Sequence, residues 1–222
     1  MTHTGTRTAR SSLTAVLTAA CILLNATPAS AVKSAGSASL GSAKITETGQ
    51  APVVIPAQAP CEVDGPPVAS ADAVTRPGIT FGGGTSRCTT MADRSSGKAT
   101  MMSKAEGRNF ELTALRSAGG PTIKVGKYRV SCTATTHGTE AQWSLRGLSG
   151  ISGLPPRVPA NYAHPLTASD GTVLAWAVLN ERDVPEPGDG SIALRALHIK
   201  FTPASGFSGD VVIGAAACSP TD

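Results

Sequence analysis

The segment KYRVSCTATT at residues 127–136 alternates apolar and polar side chains more clearly than any other part of the chain. Its apolar positions are Tyr128, Val130, Cys132 and Ala134, and the positions between them are Lys127, Arg129, Ser131 and Thr133. A period of two is typical of a β-strand with one side on a core and the other in solvent. The segment therefore predicts a half-buried strand that carries Cys132 inward.

Similar short runs recur on both sides of this strand, separated by turn residues, and helical periodicity is almost absent. The run TVLAWAVLN at 172–180 is apolar on both faces, but the Asp170-Gly171 turn before it and its β-branched residues favour a strand over a helix. Gly (24) and Pro (16) are frequent among the 222 residues. The pattern predicts an all-β domain, an antiparallel β-sandwich or a barrel-like fold. The other predicted strands are 68–75, 79–81, 99–103, 109–117, 123–125, 140–148, 192–201 and 210–218.

Residues 1–31 have the three parts of a secretory signal peptide: Arg7 and Arg10, an apolar stretch over 13–24, and a small-x-small end at Ala29-Ser30-Ala31. Cleavage is predicted between Ala31 and Val32. The apolar stretch is shorter than the roughly 20 residues that a membrane helix needs. We therefore expect a secreted, extracellular chain with no transmembrane anchor. An alternative is a lipoprotein signal that ends before Cys21.

The mature chain divides by composition into two parts. Residues 32–60 predict a flexible or Pro-rich N-terminal segment: the small polar residues at 33–43 indicate either a flexible start or an entry strand of weak apolar content, and the Pro-rich stretch after Ala51 indicates extended chain on the surface. Residues 61–222 then form a single β-rich domain.

Cys61, Cys88, Cys132 and Cys218 remain after the leader, an even number in an exported chain, so two disulfides are expected. Three pairings are open. We favour Cys61 with Cys88, which flank a turn-rich segment, and Cys132 with Cys218, which would join the last strand to a central one. The spacings that zinc sites usually bring, Cys-x-x-Cys and His-x-x-x-His, are absent, so no metal site is predicted.

The segments GSIALRALHIKF at 190–201 and SGDVVIGAAACSP at 208–220 resemble the closing strands of the choice-of-anchor P family. The resemblance covers about residues 107–218. It implies an exported β-rich protein with a surface or extracellular role, and it brings no catalytic residue or cofactor.

No catalytic residue is predicted either. The Gly-x-Ser-x-Gly elbow of many serine hydrolases does not occur. We interpret His137, His164 and His198 as ordinary histidines at a hairpin tip, in a loop and on a strand. An acidic group around two prolines is interpreted as a solvated loop, with a calcium-binding loop as the alternative; its members are Glu181, Asp183, Glu186 and Asp189.

Charge and aromatic content say little in favour of a nucleic-acid partner. Loss of Arg7 and Arg10 with the leader leaves 17 Lys and Arg against 15 Asp and Glu. This surplus of positive charge is too small to predict a groove that binds nucleic acid. Most of the few aromatic residues lie on apolar strand patterns and are expected in the core: Tyr128, Trp143, Trp176, Phe110 and Phe201. Tyr162 and Phe207 are expected in exposed loops.

These observations favour a secreted, non-enzymatic structural or interaction module with an extracellular or cell-surface partner. One alternative is an extracellular hydrolase with a site assembled in space around His164 or His198. Another is a secreted protease inhibitor that presents the loop Gly153–Pro159. No cofactor is implied by any motif.

Overall fold

A computed structural model describes Met1 and residues 36–92 and 98–220 of the chain. The predicted leader, its Ala31–Val32 cleavage site and Cys21 lie outside the described residues. The fold is built from fourteen strands in these ranges, with only two short 3-10 helices, Ala114–Ala118 and Pro203–Ser205. In chain order the strands are β1 Gly36–Glu47, β2 Val53–Gln58, β3 Cys61–Glu62, β4 Val68–Ala71, β5 Val74–Arg76, β6 Ile79–Phe81, β7 Gly84–Ala92, β8 Ala99–Leu112, β9 Ile123–Thr135, β10 Gly138–Arg146, β11 Tyr162–Thr167, β12 Val173–Asp183, β13 Ile192–Phe201 and β14 Phe207–Cys218.

The strands form two antiparallel sheets. Sheet I has the order β11-β12-β13-β14-β1-β2, with β3 beside β1. Sheet II has the order β10-β9-β8-β6-β5, and β7 pairs with another part of β8 and carries β4 at its outer edge. The two sheets pack face to face, so the predicted all-β sandwich is confirmed.

The core between the sheets comes from the inward side of each strand, as alternation requires. Leu40, Ile199 and Ile213 on sheet I and Val130 on sheet II are completely buried. The Phe81 and Phe110 rings meet edge to face with centroids 5.1 Å apart. The strand predicted at 127–136 is part of β9, and its four apolar residues are all buried.

The predicted boundary of the β-rich domain at residue 61 is wrong. β1 pairs with β14 over almost its full length and with β2 on its other side, so residues 36–58 belong to sheet I. The small side chains that made this segment look unstructured allow close packing instead. Gly41 is an example, because a Cβ there would lie 2.1 Å from the carbonyl oxygen of Val212.

Both predicted disulfides are present and both join one sheet to the other. Cys61 on β3 is bonded to Cys88 on β7, with their Cα atoms 5.6 Å apart. Cys132 on β9 is bonded to Cys218 on β14, with their Cα atoms 5.7 Å apart. The cross-links therefore hold the two layers of the sandwich together.

Three aromatic predictions are wrong. Trp176 lies on the outer side of sheet I and is 41% exposed, because β12 alternates while its outward positions are also apolar. Phe207 opens β14 and is buried, with its ring 5.7 Å from that of Phe201. Tyr162 is not in a loop but on β11, where it is partly buried.

Candidate functional site

The first group with chemical potential is a set of charged side chains on the outer side of sheet I, which we call the His198 cluster. It is drawn from three neighbouring strands: Glu181 on β12, Arg195, His198 and Lys200 on β13, and Asp210 on β14. The register places Arg195 opposite Glu181 and Lys200 opposite Asp210.

Glu181 is the centre of the His198 cluster. One of its oxygens accepts hydrogen bonds from Arg195 Nη1 at 2.9 Å and lies 2.6 Å from His198 Nδ1. Its other oxygen accepts from Lys200 Nζ at 2.7 Å. The other ring nitrogen of His198, Nε2, lies 2.7 Å from Asp210 Oδ2.

This arrangement holds Glu181 in its ionised form. Burial alone would raise the pKa of Glu181, since desolvation disfavours a charge. Hydrogen bonds from Lys200 and His198, the charge of His198 and a hydrogen bond from Arg195 outweigh burial and lower that pKa from 4.5 to about 2. The cluster is therefore a compensated ion network.

The His198 cluster is poorly suited to base catalysis. A neutral imidazole has one N–H, so only the protonated ring donates to both carboxylates. Both ring nitrogens of His198 are engaged by carboxylates of the cluster, so neither is free to accept a proton from a nucleophile or from water while these contacts persist. The interpretation of His198 as an ordinary histidine therefore missed its two carboxylate partners, which come from other strands.

Among the described residues, neither His137 nor His164 has a hydrogen-bonded carboxylate. His164 is on β11, not in a loop as predicted, and its ring lies 6.5 Å from the Tyr162 ring. His137 is at the predicted hairpin tip between β9 and β10, with Nε2 3.3 Å from Lys98 Nζ.

The predicted acidic group does not act as one unit. Glu181 belongs to the His198 cluster, whereas Asp189 accepts a hydrogen bond from the Ser191 backbone N–H at 3.0 Å. Across residues 36–92 and 98–220, the structure contains no group of three or more His, Cys, Asp or Glu side chains placed to hold a metal ion.

The loop considered for protease inhibition is partly anchored to the domain. Leu154 and Val158 pack against the core, and the Val158 carbonyl accepts a 3.5 Å hydrogen bond from Asn180 Nδ2. Gly153 and Arg157 are exposed.

The second group with chemical potential lies on the outer side of sheet II. Arg108 on β8 is the register partner of Lys127 on β9, and Lys127 is the register partner of Arg146 on β10. Register partners on adjacent strands point to the same side of a sheet, and all three residues are exposed. We call Arg108, Lys127 and Arg146 the basic row.

The basic row has no counter-charge of its own. In the described part of the chain, none of its three side chains has a hydrogen-bonded or ion-paired acceptor. Glu106 lies in the next register position, but its carboxylate is 2.8 Å from Lys104 Nζ and 3.6 Å from Arg129 Nε. Glu111, farther along β8, is paired with Lys124 at 3.1 Å.

The regular alternation of β8 is interrupted where the basic row crosses it. Arg108 and Asn109 are both exposed, so the alternation of β8 shifts by one residue, and Asn109 adopts a left-handed φ of 51°. Such irregularities in strands redirect side chains and commonly occur beside functional sites. A cleft of about 440 Å³ lies at this position, lined by the basic row together with Thr85, Ser144 and the ion-paired Glu106 and Arg129, among others.

Tyr128 and Gly107 support the cleft from beneath. They are register partners, and Tyr128 is only 2% exposed. A Cβ on Gly107 would lie 2.1 Å from Tyr128 Cζ, so the tyrosine ring occupies the space that the glycine leaves. In the described chain its hydroxyl has no hydrogen-bond partner, and burial raises its pKa.

Sequence reasoning placed Lys127 and Arg146 on strands, but it divided β8 into 99–103 and 109–117 and so left Arg108 outside both. The alternation at 127–136 indicated that Lys127 and Arg129 face outward. The strand register that brings Arg108 and Arg146 to either side of Lys127 has no signal in the sequence.

Within residues 36–92 and 98–220, no helix has the length and apolar composition that a membrane span requires. Comparison of the whole chain with protein-family models, curated proteins and solved structures finds no match.

Proposed function

We propose that this protein is a secreted, non-enzymatic interaction module that works outside the cell. Its contact surface is the outer side of sheet II, centred on the basic row. The partner carries negative charge and belongs to the extracellular medium or to the cell surface.

The observation that carries this proposal is the in-register row of three cations without a counter-ion. Like charges directly opposite each other destabilise a sheet. The presence of three such cations beside a cleft is best explained by an anionic partner that supplies the opposite charge. The charges of the His198 cluster are already paired with one another, so this cluster gives no comparable reason to expect a charged partner.

The non-enzymatic part of the proposal is supported by His198. This residue was one of two candidates for a hydrolase built around a histidine, and both of its ring nitrogens are already bonded to carboxylates. The ring of the other candidate, His164, lies 6.5 Å from that of Tyr162, and none of the described carboxylates is hydrogen-bonded to it.

The extracellular part of the proposal rests on the leader-like residues 1–31 and on two disulfides that span the sandwich. The resemblance of 190–201 and 208–220 to the choice-of-anchor P family agrees with that location.

The test measures how much purified, labelled protein sediments with washed cells of the producing strain. The variant Arg108→Gln/Lys127→Gln/Arg146→Gln removes the basic row. The matched control Lys44→Gln/Arg76→Gln/Arg116→Gln removes three exposed cations that do not line the cleft. We expect the row variant to lose at least tenfold in bound protein and the control to change less than twofold.

Equal losses in the two variants would overturn the assignment of the surface, as would a row variant that binds normally. A wild-type protein that does not sediment with cells would overturn a cell-surface partner. Turnover on a panel of hydrolase substrates that is lost on mutation of one polar residue would overturn the non-enzymatic assignment.

A further inference from the structure

We infer that the basic row binds a linear polymer that carries tetrahedral oxyanions, either phosphate or sulfate groups, along its length. This inference rests on the proposed function and names the chemistry of the partner. It follows from the geometry of the row, from its side-chain types and from what the cleft lacks.

The length of the basic row favours a polymer over a single anion. Arg108, Lys127 and Arg146 are on three successive strands. Neighbouring strands are about 4.8 Å apart, so the ends of the row are separated by about 10 Å at the backbone. One small anion cannot hydrogen-bond to all three side chains in this layout, whereas a chain with repeated charges that crosses the strands can meet each in turn.

The side-chain types favour tetrahedral oxyanions. The guanidinium groups of Arg108 and Arg146 flank the ammonium group of Lys127; Arg129 and Glu106, which are ion-paired with each other at 3.6 Å, line the same cleft. A guanidinium offers a planar fork of donors that matches two oxygens of one phosphate or sulfate, while lysine contributes a point charge. Ser144 and Thr85 in the lining add hydroxyl donors.

The cleft lacks what other polyanionic partners use. Single-stranded nucleic acids are held largely by stacking of bases on aromatic faces. Tyr128 is the aromatic residue in the lining, and at 2% exposure its ring is covered. A bilayer surface is also disfavoured, because the row lies at a recess in the sheet and not on a protruding apolar edge.

The experiment measures binding of the purified wild-type protein to long-chain inorganic polyphosphate and, separately, to dextran sulfate. The same titrations are run with orthophosphate, polyglutamate, single-stranded DNA and vesicles containing phosphatidylglycerol. We expect polyphosphate or dextran sulfate to bind at least tenfold more tightly than each of these four. The better of the two polymers identifies phosphate or sulfate as the source.

Salt dependence gives a second readout. Three oxyanion contacts predict that the logarithm of the binding constant falls with the logarithm of salt concentration with a slope of about −2, at roughly 0.7 per contact for a flexible single strand. The row variant Arg108→Gln/Lys127→Gln/Arg146→Gln should bind at least tenfold more weakly and with a shallower slope. The control Lys44→Gln/Arg76→Gln/Arg116→Gln should match the wild type within twofold.

A charge-preserving variant tests the fork geometry. Arg108→Lys/Arg146→Lys keeps every charge of the row but removes two planar forks, so we expect severalfold weaker binding at an unchanged salt slope. Wild-type affinity in this variant would show that charge alone is recognised and would overturn the oxyanion-specific part of the inference.

The failures of this inference and of the proposed function are distinguishable. Binding to cells that requires the row, with no binding to either polymer, would overturn the inference and leave the interaction module in place. Polymer binding through the row without any retention on cells would overturn the cell-surface partner alone. Tighter binding to DNA, polyglutamate or vesicles than to both polymers would replace the inferred partner class.

Discussion

Glu181 shows how one residue on the outside of a sheet can contribute to stability. Its side chain is only 12% exposed, although it is charged. Three donors from one neighbouring strand, Arg195, His198 and Lys200, offset the loss of water around its carboxylate. A carboxylate in this position stabilises the fold only while it is ionised and its partners are present.

Replacing Glu181 by Gln should lower the free energy of unfolding at pH 6 by about 1–3 kcal/mol, because cationic partners lose their charge-assisted acceptor. Folding lowers the pKa of Glu181 from 4.5 to about 2, so the ionised carboxylate stabilises the fold fully above pH 4.5. That contribution is lost as the pH falls towards 2. The difference between wild type and variant should therefore shrink over this range, as measured by urea unfolding.

The control for this prediction is Glu186→Gln, which removes an exposed carboxylate from the loop after β12. It should unfold like the wild type at every pH. A deficit of Glu181→Gln that is constant from pH 6 to pH 2 would contradict the ionic account.

At the scale of the element, β8 and β9 are joined by packing as well as by hydrogen bonds. The Tyr128 ring lies across Gly107 and fills the space that a side chain at position 107 would occupy. The absence of a side chain at Gly107 thus has a packing reason that does not involve a positive φ.

Gly107→Ala should destabilise the protein by about 1–3 kcal/mol, because the new methyl group overlaps the Tyr128 ring. The double variant Gly107→Ala/Tyr128→Leu should show a favourable coupling energy when compared with the two single variants by urea unfolding. Gly188→Ala is the matched control, since a Cβ there approaches nothing closer than 3.9 Å. Additive effects in the double variant would argue against this contact.

The basic row spans three strands, and the repulsion between its charges should lower the stability of the sheet. Lys127 has a cation as register partner on both sides, an arrangement that opposes pairing of β8 with β9 and of β9 with β10. If the row is kept for binding, removal of its central charge should improve stability and impair function.

Lys127→Thr should raise the melting temperature by about 1–2 °C, which corresponds to relief of roughly 0.5 kcal/mol in a domain of this size. The same variant should lose binding to cells. Lys44→Thr makes the same exchange on β1, where the register partner is Asp210, so it should give no such rise. Equal rises in both variants would show that strand propensity, not charge repulsion, is responsible.

At the scale of the whole molecule, the two disulfides tie the layers together at separate places. Cys61 and Cys88 are 27 residues apart, and Cys132 and Cys218 are 86 apart. A longer closed loop removes more conformational freedom from the unfolded chain, so the second bond should stabilise the fold more.

Replacing Cys132 and Cys218 by Ala should lower the free energy of unfolding by about 4.5 kcal/mol, against about 3.5 kcal/mol for Cys61 and Cys88, from loop-closure entropy. Urea unfolding of the two double variants tests the order. A larger loss from the shorter loop would mean that packing around Cys61 and Cys88, and not chain entropy, dominates.

Charge is distributed over the whole molecule in a way that the formal net charge of +4 does not convey. On sheet I the charges of the His198 cluster meet at 2.6–2.9 Å and compensate each other. On sheet II the basic row remains without acceptors among the described residues. Among the described residues, the charges of the His198 cluster are thus paired with one another, whereas those of the basic row are not.

The sequence by itself determined the fold class, the inward side of β9 and the strand nature of 172–180, and it favoured, without fixing, the two disulfide pairs that the structure shows. These depend on local alternation, turn residues and loop lengths, which are properties of neighbouring positions. The sequence did not predict residues 36–58 as part of the sheet, because their small side chains show little contrast between apolar and polar positions. In the structure the same small side chains allow β1 to pack closely between β14 and β2.

Only the tertiary structure decided the registers between strands, and the registers create both sites. Glu181, His198 and Asp210 come from three strands, and so do Arg108, Lys127 and Arg146. The period-two rule tells which side of a strand a residue faces but not which residue of the next strand lies beside it. Turns, irregularities and sheet packing set that alignment. The alignment in turn decides whether a charged side chain has a partner of opposite charge on the next strand.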